Sequence, residues 1–113
     1  MDNKEIALKY LYTDLAIKNM QLDLQHIKNG SFKIKGPYIA MIENMISKAI
    51  NKRRKLNQLM HKNNIKIEFL HKQGDFVTYK FYLDGFVQEI PFMEQVLKKN
   101  VEEVIKKSSI EHH

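Results

Sequence analysis

Apolar residues recur at helical spacing along the first 28 positions, but they fall on two faces rather than one. Leu8, Leu11, Leu15 and Leu22 form one stripe. Ile6, Tyr10, Ile17, Met20, Leu24 and Ile27 form a second, roughly opposite. Asp14, Lys18, Gln21, Gln25 and Lys28 make a polar stripe between them. Asp2 or Asn3 can cap the helix, Glu5 stands at capping-box distance from Asp2, and Asn29-Gly30 ends it. The spacing predicts a helix over about residues 3–28. An ordinary surface helix needs one apolar stripe, so two stripes call for two partners. Either the helix is wedged between a sheet and a second helix, or the stripe of Leu8, Leu11, Leu15 and Leu22 is a surface for self-association.

After a short extended piece, in which Phe32 and Ile34 alternate with lysines, Pro37 sits where proline starts a helix well. The second predicted helix runs to about Asn63. Its apolar face is Tyr38, Met41, Ile42, Met45, Ile46, Ala49, Leu56, Leu59 and Met60, with a gap at Lys52-Arg53. Residues 65–90 then change to period-two alternation and predict three antiparallel strands. Asp84-Gly85 is a two-residue hairpin turn. A three-residue Gln73-Gly74-Asp75 loop pairs Phe69 with Tyr79 and Ile67 with Phe81, and keeps Phe69, Tyr79, Phe81 and Phe86 on one apolar face. It also lays Glu68, Lys80 and Glu89 side by side on the other face, where opposite charges are favourable neighbours. Phe76 and Tyr82 join that second face, near Lys66, Lys72 and Lys80, and His71 falls on the core side. A last helix is expected from Pro91 to about Lys107, buried through Met93, Val96, Leu97, Val101, Val104 and Ile105.

The predicted class is α+β: two N-terminal helices, a three-stranded antiparallel meander and a C-terminal helix, in one domain over residues 1–109. Residues 110–113 read as a tail whose terminal His112-His113 looks like part of a purification tag. The order helix, three strands, helix over about residues 37–107 resembles double-stranded RNA-binding domains. Those domains carry a G-P-x-H-type loop and a lysine cluster at the start of the last helix. Here the corresponding residues are Gln73-Gly74-Asp75 and Pro91-Phe92-Met93-Glu94; both departures remove the expected phosphate contacts, so the likeness is one of element order and is not adopted.

Composition narrows the picture. The chain has 113 residues and no cysteine, which rules out disulfides and thiolate zinc sites. Lysine-rich, arginine-poor usage with many Ile and Asn residues points to an AT-rich genome, bacterial or phage. The first residues lack the apolar core of a signal peptide, and no apolar run reaches the roughly 18 residues of a membrane span. A cytoplasmic location without membrane contact is expected. The formal charge is +6, and residues 37–63 alone carry six basic side chains against one acidic. Lys48, Lys55 and Lys62 recur every seven residues on one flank, with Lys52 and Arg54 near them. These five form a candidate surface for nucleic-acid phosphates or an acidic protein. Arg53, at the edge of the seam, can bury its stem and reach a carboxylate.

Chemistry is harder to find. The four serines lie outside any nucleophile elbow, and the four glycines stand at turns rather than in a phosphate-binding loop. His26, His61 and His71 show no metal-binding spacing. No catalytic residue, metal or cofactor is expected. The residues point to a small interaction or regulatory module that forms homo-oligomers through helix one. Weak, salt-dependent nucleic-acid binding through helix two is the alternative.

Overall fold

The computed structural model describes residues 1–31 and 33–110. The order is α1 (Asn3–Asn29), α2 (Gly36–Lys62), β1 (Lys66–Gln73), β2 (Phe76–Leu83), β3 (Phe86–Met93) and α3 (Glu94–Ile110). This is the predicted α-α-β-β-β-α arrangement. Residues 111–113, including the terminal histidines, and Phe32 lie outside the described residues.

Local signals account for most element ends. Asp2 caps α1 by accepting the Glu5 N–H at 2.8 Å, satisfying one of the helix's orphan donors. Gly30 closes α1 in extended rather than left-handed backbone, and Lys35 donates its ammonium to the Lys28 carbonyl at 3.0 Å. Helix α2 ends differently. Ile65 N–H bonds the Met60 carbonyl at 2.8 Å and Asn64 N–H bonds that of His61 at 3.3 Å. Asn64 has φ +54°. This paired closure through a left-handed residue is the Schellman motif, with asparagine where glycine is usual. Its apolar clasp is present too, since Met60 and Ile65 are buried in the same cluster.

The sheet has the order β1-β2-β3, antiparallel throughout. Phe69 pairs with Tyr79, Ile67 with Phe81, and Lys80 with both Glu68 and Glu89, as expected. The route to that register differs. The β1–β2 loop has two residues, Gly74-Asp75, because Gln73 pairs with Phe76. Gly74 at φ +60° supplies the first central position of a type II′ turn. The additional residue is Leu70, a bulge between Phe69 and His71. A bulge shifts the strand phase by one, so His71 falls opposite Thr78 and Lys72 opposite Val77. His71 is therefore exposed rather than on the core side. Lys72 leaves the outer face and pairs with Glu94 at 2.6 Å.

Two further expectations change. Strand β3 continues through Pro91 to Met93. A proline is tolerated there because β3 is an edge strand, and the final helix starts only at Glu94, whose N–H bonds the Asp75 carbonyl at 2.8 Å. Met93 and Val96, expected to be buried, are about half exposed.

The core divides into two clusters strung along α1. Ile6, Ala7 and Leu11 join Val77, Tyr79, Phe81, Leu83, Met60 and Leu97 against the sheet. Ala16, Ile17 and Met20 join Met45, Ile46, Ala49 and Val101 between the helices. Phe81, at 0% exposure, is the largest buried side chain. The ends of this arrangement stay uncovered. Tyr38 and Met41, at the far end of the helical hairpin, and Phe86, beside the Asp84-Gly85 turn, are more than half exposed, as is Phe69 on the edge strand β1.

Phe81→Ala should cost about 3–5 kcal/mol, a large share of the ~5–15 kcal/mol that stabilises a native domain, and urea denaturation will read it. Deleting Leu70 should remove the bulge and leave one continuous register, 69 with 79 and 71 with 78. Nuclear Overhauser contacts across β1–β2 should then be kept, with a melting temperature close to the parent's. A deletion variant that fails to fold would show that the bulge is required.

Candidate functional site

The five basic residues expected to form one patch on helix two are divided by their surroundings. Lys48 and Lys52 are half-buried, while Arg54, Lys55 and Lys62 are exposed. Arg54 donates to the Asn51 side-chain oxygen at 2.9 Å on its own helix. Lys52 lines a cavity of about 380 Å³ between α1, α2 and α3. Arg53 crosses to α1 and donates to Asp14 at 2.8 Å. Both partners are partly covered, which fills the gap in the apolar seam with a guanidinium–carboxylate pair. Asp14 also receives Lys18 at 2.9 Å.

The helix-one stripe is mostly taken up within the chain. Leu11 is buried in the sheet-side core, with Leu8 and Leu15 packed against it. Leu22 is 55% exposed. The opposite stripe is covered as well: Ile6, Ile17 and Met20 are buried, and Tyr10, Leu24 and Ile27 are half-buried. Two apolar stripes on α1 thus meet the sheet, α2 and α3.

A more open surface lies on the outer face of the sheet. The register places four cross-strand rows there, one of them His71, Thr78 and Pro91. Phe76 faces Met93 at one end, Glu68, Lys80 and Glu89 cross the middle, and Lys66, Tyr82 and Val87 form the other end. Phe76, Met93 and Val87 are 46%, 49% and 55% exposed. Lys66 and Lys80 lie 5.5 and 5.6 Å from the Tyr82 ring centre, within cation–π range. Lys66 also pairs with Glu68 at 3.0 Å. That contact holds the Glu68 carboxyl below its ordinary pKa and raises that of Lys66. Lys66, Lys80, Glu68 and Glu89 balance one another on a chain that is otherwise strongly positive. Sequence reasoning placed Phe76, Tyr82, Lys66 and Lys80 on this face. The Asp84-Gly85 turn also sets Val87 opposite Tyr82, as the structure has it; Met93 was missed because β3 was ended too soon.

A larger hollow, about 710 Å³, lies where α1, the end of α2 and β1–β2 meet. Tyr10, Asn57, His61, Asn64, Lys66 and Tyr82 line it. It offers hydrogen-bonding groups but no carboxylate to pair with His61 as an acid–base couple. Ser108 donates to the Val104 carbonyl at 2.9 Å and Ser109 to that of Lys106 at 2.7 Å, both within α3. Among the described residues no three His, Cys, Asp or Glu side chains gather where they could hold a metal ion. No helix among them is long and apolar enough to cross a membrane. The last helix opens on Glu94, which is bound to Lys72. This puts a carboxylate where double-stranded RNA-binding domains have lysines.

No curated protein and no solved structure matches the chain. One family model does, over residues 1–111 and hence through every helix and strand described above. The chain belongs to the family described as YhjD protein.

Proposed function

We propose that the protein is a non-enzymatic interaction module that self-associates, and that the contact is made by the outer face of the sheet rather than by the leucines of α1. The observation that carries this reading is the charge balance of that face. A chain of formal charge +6 repels its own copies over most of its surface. The sheet face is neutral and carries Phe76, Val87 and Met93 at about half exposure. A two-fold axis running between β2 and β3 sets Lys80 of each copy against Glu89 of the other, an isologous arrangement. Three strands of eight residues present only about 14 by 26 Å. That is less than the ~800 Å² per partner of a standard interface, so the expected association is weak.

The nucleic-acid alternative is less well served. Of its five basic residues, Lys48 and Lys52 are half-buried and Arg54 is engaged with Asn51.

Sedimentation equilibrium at about 100 μM, chosen for weak association, should give a dimer. Phe76→Glu and Val87→Glu should return it to monomer with an unchanged circular dichroism spectrum, and Leu22→Glu should leave it dimeric. The opposite ranking would return the contact to α1, and a monomer at that concentration would end the proposal. Gel shifts that are released by salt and lost on Lys55→Glu with Lys62→Glu would favour nucleic acid instead.

Association should also depend on pH, in a direction set by Glu68. Its carboxyl is held below the ordinary range, so it stays charged at neutral pH. Its contribution is lost only as pH falls through that lowered value. Acidification through that lowered value leaves Lys66 unbalanced, so sedimentation should report dissociation there.

A further inference from the structure

The hollow that Lys52 enters is built by three helices, and each contributes a lysine: Lys9 from α1, Lys52 from α2 and Lys107 from α3. None of the three is in an ion pair among the described residues. Glu103 is the one acidic side chain in the lining, beside Thr13 and Asn100. Three ammonium groups round one hollow repel each other, and a single carboxylate offsets only part of that charge.

Thr13 supplies a second, independent observation. It lies in the middle of α1 at 0% exposure. Its hydroxyl is the buried side-chain polar atom that finds no hydrogen-bond partner among the described residues. A buried hydroxyl without a partner is costly, and an unseen ion or ligand is one of the recognised reasons for such an orphan. A helical threonine can bond the carbonyl four residues back, yet this one does not. Tyr12 stands beside it in the same lining. Burial pushes its phenol up from the usual value, against the opposing effect of the Asn100 amide. It therefore remains a neutral hydrogen-bonding wall at physiological pH.

We propose that the cleft between α1, α2 and α3 binds the phosphate group of a small phosphorylated molecule, held by Lys9, Lys52 and Lys107. Lysines act on phosphate as point charges, and the packing of three helices brings these three to one lining. A hollow of about 380 Å³ is at the small end of the range for small-molecule sites and larger than a bare phosphate ion needs. Glu103 and Asn100 are placed to take hydroxyl or amine groups of the remainder, with Val104 as an apolar wall. The site lies among the helices, so the proposal does not rest on the sheet contact.

Isothermal titration calorimetry of the full chain tests it, with inorganic phosphate and glycerol 3-phosphate as probes against chloride at matched ionic strength. Both phosphates should bind saturably, the monoester more tightly. Lys52→Gln and Lys107→Gln should each weaken binding about tenfold, as loss of one charge-assisted contact does. Lys55→Gln, which removes the same charge outside the cleft, should change it less than twofold. Thr13→Val should raise the melting temperature of the free protein and lower phosphate affinity. Absence of saturation at about 10 mM, weaker than a typical millimolar limit, would overturn the proposal. So would equal effects of Lys55→Gln and Lys52→Gln, which would mean that phosphate responds to net charge alone. Binding confined to oligonucleotides would overturn it too.

Discussion

Burial of α1 on more than one side is the constraint on which the rest of the structure depends. A helix of 27 residues is about 40 Å long, whereas an eight-residue strand covers about 26 Å. The sheet alone cannot cover it, and α2, also 27 residues, runs alongside it. Its first half therefore packs on the sheet through Ile6, Ala7 and Leu11, and its second half on α2 and α3 through Ala16, Ile17 and Met20. The molecule is long and thin as a result, 52 by 36 by 18 Å, with a radius of gyration of 15.7 Å. A compact chain of this length would measure about 13 Å. The exposed Leu22, Tyr38 and Met41, in the half of the helical hairpin that the sheet does not reach, follow from that mismatch of lengths.

Much of this was legible in the sequence because it rests on local chemistry. The Asp2 cap, the Asp84-Gly85 turn and the alternation through β2 each depend on a few neighbouring residues. Asp84 at φ +52° and Gly85 at +81° have the paired positive values that a type I′ turn requires. The Arg53–Asp14 pair was readable from one direction only. The gap in the α2 seam showed that a polar group crossed there, but not which carboxylate it reached. The register of β1 was recovered through an incorrect loop. Hydrophobic alternation fixes which residues face each other near Phe69 and Tyr79, but cannot tell an extra loop residue from a bulge at Leu70. That distinction alone moved His71 and Lys72 to opposite faces from those expected.

The candidate surfaces were less legible, for a physical reason. Periodicity reports which face of an element is apolar. It does not report how far a neighbouring element extends. The leucine stripe on α1 was read correctly as apolar, yet nothing in its spacing said that Leu8, Leu11 and Leu15 would be covered and Leu22 would not. The lysines of α2 were read as one flank because they share a side of one helix. Lys9 and Lys107 belong to other helices, 43 and 55 positions from Lys52, and only packing brings the three to one hollow. Thr13 gave a faint signal, a β-branched polar residue in mid-helix on neither apolar stripe.

Thr13 and Asp14 also mark the waist of the molecule. On one side of them α1 belongs to the sheet-side cluster, and on the other to the helical one. Arg53 is the polar tie across α1 and α2 at this level. Two clusters joined through a waist need not open together, since proteins yield in contiguous cooperative units. The far end of the helical hairpin, beyond Met20 and Met45, has only exposed and half-covered apolar side chains to hold it. It can fray while Phe81 and its neighbours stay closed, and the cluster of Ala16, Ile17, Met45 and Ala49 stands between that end and Lys9 and Lys52. The hollow between the helices is thus set at the waist, and whatever fills it would tie the two halves of the chain together.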